Sequence, residues 1–103
     1  MYYIITSKKK ENILVTKNYN ECFDFIVKNP DAKIRTIDHT AKPRILDKRN
    51  FLKEFYKNTD DKNKFFELVE IMVTYVNNMY DLLNSIGLKE DYKTYKKVTN
   101  NTL

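Results

Sequence analysis

Apolar residues recur at strand spacing near the start of this chain and at helix spacing further on. Tyr2-Tyr3-Ile4-Ile5-Thr6 is β-branched and aromatic, as is Ile13-Leu14-Val15-Thr16, and the polar residues 7–12 between them predict a hairpin. Asn18 can cap a helix, with Glu21 at the spacing of a capping box. Tyr19, Cys22, Phe23, Ile26 and Val27 then share one helical face. Pro30 stops that helix, because the residue before a proline avoids helical geometry. Residues 32–37 predict a third strand, with Lys33 and Arg35 on its outward face. Residues 38–46 read as a loop around Pro43. Asp47 can cap a short helix reaching about Lys57, with Leu52, Phe55 and Tyr56 on one side.

The strongest periodicity follows. From Asp61 to Ile86, Phe65, Leu68, Met72, Tyr75, Met79, Leu82 and Ile86 alternate steps of three and four, and Gly87, the only glycine, closes the run. Phe66, Val73 and Tyr80 widen the seam on one side. The pattern predicts one long amphipathic helix of ~39 Å at 1.5 Å per residue, against a radius of gyration of about 13 Å for a compact domain of this size. Either the helix crosses the sheet and buries its face within the chain, or it engages a protein partner or a homodimer copy. The candidate surface for the second case is Phe66, Val73 and Tyr80, with Met72 and Met79 as adaptable packers. Leu68, Met72, Tyr75 and Leu82 are expected core. Residues 89–97 predict one or two further helical turns and residues 98–103 a frayed tail. The expectation is a single α+β domain over residues 1–103. Its residues 1–38 form a three-stranded antiparallel sheet in β-β-α-β order, and residues 47–97 form a helical part.

Composition narrows the class. The 103 residues are 42% hydrophobic and 32% charged, which suits a folded domain rather than a disordered one. A single cysteine, Cys22, allows no intramolecular disulfide and fits a reducing, cytoplasmic setting. The apolar run Tyr2–Ile5 is too short for a signal peptide and has its lysines on the wrong side, and no run approaches membrane length. No membrane partner is expected.

Net charge is +5 and unevenly placed. Residues 1–57 carry 13 Lys/Arg against 7 Asp/Glu, whereas residues 58–88 carry 2 against 5. Nucleic acid is therefore the alternative partner. Lys8, Lys9 and Lys10 at the hairpin tip and Lys33 and Arg35 on the third strand would contact phosphates, with Tyr19 as a stacking ring. AT-rich codon usage, which favours lysine over arginine, produces the same charge without that demand.

Chemistry is narrowed further. One histidine, His39, and one cysteine are too few for zinc or iron sites of these ligand types. Cys22 lies on an apolar face, where a thiol is inert, and His39 falls in a polar loop. A single glycine excludes a phosphate-binding glycine loop. Asp60-Asp61 stands at a helix start, where acids complement the dipole. No catalytic residue, cofactor, metal or small-molecule substrate is expected. The reading is a non-enzymatic binding module. It suits a phage or mobile-element accessory protein that acts stoichiometrically on a host macromolecule, for example by inhibiting a host or defence protein.

Tyr2-Tyr3, the basic turn Lys8-Lys9-Lys10, Thr16, Glu21-Cys22, Pro30, Ala32, Lys33 and Arg35 occur in that order in the N-terminal third. This pattern resembles the N-terminal hybrid-binding domain of eukaryotic-type ribonuclease H, which caulimovirus viroplasmin shares. The resemblance implies binding of double-stranded RNA or RNA–DNA hybrids through Lys33, Arg35 and the loop near Tyr19. The family's turn glycines, its stacking tryptophan and any match to the C-terminal half are absent here.

Overall fold

Strand pairing in the computed structural model, which describes residues 2–38 and 42–100, builds one antiparallel sheet ordered β2-β1-β3-β4. β1 is Tyr2–Thr6, β2 Ile13–Thr16, β3 Lys33–Ile37 and β4 Arg44–Ile45. α1 (Tyr19–Lys28) joins β2 to β3, so the expected β-β-α-β order is present within an α+β fold. The sheet has four strands rather than three. Past Pro43 the chain runs extended, Arg44 and Ile45 pair with Thr36 and Arg35, and the Leu46 N–H donates to the Ile34 carbonyl at 2.9 Å. His39 and residues 101–103 lie outside the described residues.

The period-2 pattern of β1 separates two faces. Tyr3 and Ile5, with Ile34 of β3, are buried beneath α1 and α2 (Lys48–Asn58). The Tyr3 ring packs edge-on against Tyr19 at 5.3 Å and Phe51 at 5.8 Å. The other face keeps Tyr2, Ile13, Val15 and Ile45 exposed. Asn18 caps α1 by accepting from the N–H groups of Asn20 and Glu21. The Glu21 arm of the capping box goes unused, because the Asn18 N–H donates to Thr16 Oγ1 at 2.9 Å instead.

The long helix expected over residues 61–86 is two helices. α3 (Lys62–Met72) passes through a 3-10 turn at Val73–Tyr75, and α4 (Met79–Ser85) follows. Val76 between them is extended, and Asn78 adopts the left-handed conformation at φ 57° and ψ 50°. Local preferences explain the break. Val73, Thr74 and Val76 are β-branched and lose rotamer freedom in a helix. Asparagine enters left-handed geometry more readily than other non-glycine residues. Arg49 bridges the break, donating to the Asn77 carbonyl at 2.7 Å and to that of Asn78, which also accepts from the Leu82 N–H, at 3.2 Å.

That break reverses the expected partner surface. Phe66, Met72 and Met79 are buried in the chain's own core, Phe66 at 2% exposure; only Val73 and Tyr80 of that set are exposed. The cover is α5 (Lys89–Asn100), longer than the one or two turns expected. Its Tyr92 and Tyr95 rings lie 5.7 and 5.2 Å from Phe66. Leu68 and Leu82 are buried as expected, but Tyr75, expected in the core, sits in the 3-10 turn and is 46% exposed. Gly87, at φ 76°, ends α4 in a Schellman motif: the Leu88 N–H donates to the Leu83 carbonyl at 2.8 Å and the Gly87 N–H to that of Asn84 at 3.1 Å. Among the described residues no helix is long and apolar enough to cross a membrane.

Candidate site: a basic cleft at one end of the sheet

Thr6, the last residue of β1, pairs with Lys33, the first of β3, so the hairpin tip 7–12 stands over the start of β3. β4 runs antiparallel to β3 and delivers the chain to the start of α2 at this same end. The Tyr75–Asn77 connection is tied beside α2 by Arg49. These segments enclose a cavity of about 640 Å³. Its basic lining residues are Lys8, Lys10, Lys33, Arg35, Lys48 and Arg49, and among the described residues Asp47 is its only acid.

That acid is occupied as the cap of α2. It accepts from the Asn50 N–H at 2.7 Å and from Asn50 Nδ2 at 3.2 Å. Arg35 Nη2 donates to Thr6 Oγ1 at 3.3 Å, while its Nε is buried with no hydrogen-bond partner among the described residues. The Lys48 ammonium lies 5.6 Å from the centroid of the Tyr75 ring. The ion pairs among the described residues, Lys57–Glu54, Lys62–Asp91 and Lys93–Glu90, all lie elsewhere. None of these three pairs includes a cation of the cleft.

The structure thus brings together Lys8, Lys10, Lys33 and Arg35, which the sequence grouped. Lys9 is exposed on the hairpin tip but does not line the cavity. Tyr19 is not at the site. Its hydroxyl is 2.7 Å from that of Tyr3 and accepts from Asn58 Nδ2 at 3.2 Å, and its ring packs on Phe55, so it is a packing residue rather than a stacking platform. Lys48, Arg49 and Tyr75 were missed. One signal for them was available. The first turn of α2 contains Lys48 and Arg49 and no acid, although cations there oppose the helix dipole. A misfit of that kind asks for another use of the charge.

Elsewhere the chemistry is sparse. No group of three or more His, Cys, Asp or Glu that could hold a metal occurs among the described residues. Burial first, then the charge of Glu21, pushes the Cys22 thiol up from 9.0 to about 12, far from a nucleophilic thiolate. Asp61 caps α3, accepting from the Lys64 N–H at 3.1 Å. Comparison with protein-family models, curated proteins and solved structures finds no match to this chain.

Proposed function

We propose that the protein is a non-enzymatic module that binds the phosphate backbone of nucleic acid in this cleft. One observation carries the reading: six cationic side chains converge on a concave surface whose single acid is engaged in capping. Clustered like charges repel, and an anionic ligand relieves that repulsion while releasing its own counterions. Four of the residues on which the resemblance to the hybrid-binding domain rests, Lys8, Lys10, Lys33 and Arg35, are among the six. The first expectation from the sequence, a protein partner on the long helix, loses support because Phe66, Met72 and Met79 of its surface are core.

The test is fluorescence anisotropy of a labelled oligonucleotide across a salt series. Each phosphate contact contributes roughly 0.7–0.9 to the log–log salt slope. Lys33→Glu with Lys48→Glu should reduce both affinity and slope. Lys93→Glu with Lys57→Glu, the same charge change away from the cleft, should reduce them far less. Equal losses in the two pairs would mean diffuse attraction rather than a site. No binding even at about 0.05 M salt, where screening is weak, would overturn the proposal.

A further inference from the structure

We propose that the nucleic acid taken by the cleft is single-stranded, with its phosphates among the cations and its bases on Tyr75 and on the outer face of the sheet. This rests on the nucleic-acid reading above and adds the state of the strand.

The first observation is the ring inside the cleft. Tyr75 is 46% exposed although it belongs to an apolar seam, and the Lys48 ammonium lies over its ring, 5.6 Å from the centroid. A base stacked on that ring would place its phosphate among cations. A duplex hides its base faces in its own stack and cannot use the ring; an unpaired base can.

The second observation is continuity. Thr6, Lys33, Arg35 and Ile45 line the cleft, and the same residues lie on the outer face of the sheet. The cleft therefore opens onto a row running Val15–Ile4–Arg35–Ile45 across all four strands. At roughly 4.8 Å between neighbouring strands that row spans about 14 Å; four-stranded sheets that stack two or three bases do so on aromatic side chains, and Tyr2 offers an exposed ring on this face.

The third observation is the chemistry of that face. Ile45 is 85% exposed, and Tyr2, Ile13 and Val15 are exposed with it. Lys17 lies over the Tyr2 ring, its Nζ 4.6 Å from the centroid. Cations and apolar groups interleave there, and no acid shares those strands. A duplex presents a hydrophilic backbone and would leave the apolar groups wet. A single strand offers both an anionic backbone and flat apolar bases, and so matches both.

The experiment compares a labelled single strand of roughly 16 nucleotides, the upper site size of one small module, with its DNA duplex and its RNA–DNA hybrid at about 0.15 M salt. The single strand should bind roughly tenfold or more tightly than either duplex, the order expected of one or two stacked bases. Tyr75→Ala and Tyr2→Ala should each weaken single-strand binding about tenfold. They should leave duplex binding and the salt slope unchanged, and Tyr75→Phe should restore the stacking. Both tyrosines are exposed, and unchanged melting temperatures would verify that the variants fold. If either duplex binds as tightly as the single strand, or if Tyr75→Ala weakens all three ligands equally, the single-strand proposal falls while the cleft reading stands. If none of the three binds even when the salt is lowered to about 0.05 M, both fall, and the outer face is left to a protein partner.

Discussion

Cys22 is fully buried on α1, and the fold holds its thiol protonated up to about pH 12, against an ordinary value of 9.0. The unfolded chain releases that proton from about pH 9. The stabilisation is therefore complete below pH 9 and is lost as pH rises toward 12. The urea midpoint should fall over that window. Cys22→Ala should flatten the first part of the fall, between pH 9 and 10, before tyrosines ionise in the unfolded chain; parallel slopes in the two proteins would refute the assignment. A thiol reagent at neutral pH should label Cys22 only when the chain unfolds. The burial of Cys22 was legible because Tyr19, Cys22, Phe23 and Ile26 share helical spacing. The fate of Tyr19 on that same face was not. Its hydroxyl is fixed by Tyr3 and Asn58, residues 16 and 39 positions away, and nothing local encodes such distant partners.

The junction between α3 and α4 shows how an element can be misread while most of its core residues are read correctly: Met72 and Met79 are buried and Tyr75 is not. Met72, Val76 and Met79 are spaced by four and three, and all three are buried. Buried helical spacing therefore continues in sequence, with Val76 taking the place expected of Tyr75, although the backbone leaves the helix between them. Periodicity reports which side faces the core and is blind to a turn that keeps that side inward. The opposing signals, the β-branched cluster Val73-Thr74 with Val76 and the pair Asn77-Asn78, are weaker in the sequence than the heptad spacing. Asn78→Val should destabilise the protein by about 1–3 kcal/mol, because a β-branched residue is strained at positive φ. Asn78→Gly should stay within about 1 kcal/mol of wild type. Chemical denaturation measures both. A stable Asn78→Val protein would mean that the left-handed turn is dispensable and that α3 can run on into α4.

At the scale of the molecule, the C-terminal half closes on itself. α5 is rich in lysine and poor in apolar residues, so little in its sequence announces that Tyr92 and Tyr95 roof Phe66. The sheet half was easier to read, because its strands and α1 are neighbours in sequence as well as in space. A consequence separates the two halves of the expected partner surface. Phe66→Ala should cost about 3–5 kcal/mol, as a buried aromatic does, whereas Tyr80→Glu, on a half-exposed position of α4, should cost about 0.5–1.5 kcal/mol, the worth of the edge-to-face contact its ring makes with Tyr92 at 5.9 Å. Equal and small effects by thermal melting would place Phe66 on the surface after all.

The closure has an optical consequence as well. The chain has no tryptophan and eight tyrosines. Two of the eight are buried, Tyr3 under the helices of the sheet half and Tyr92 under the C-terminal half. Burial first, then hydrogen bonding to Tyr19 in one case and to Glu70 in the other, pushes both phenols well above their ordinary value of 10.0. A phenolate absorbs at longer ultraviolet wavelength than a phenol. In alkali each half therefore holds a phenol that ionises only when that half opens, and the step that disappears in Tyr3→Phe or in Tyr92→Phe tells which half lets go first.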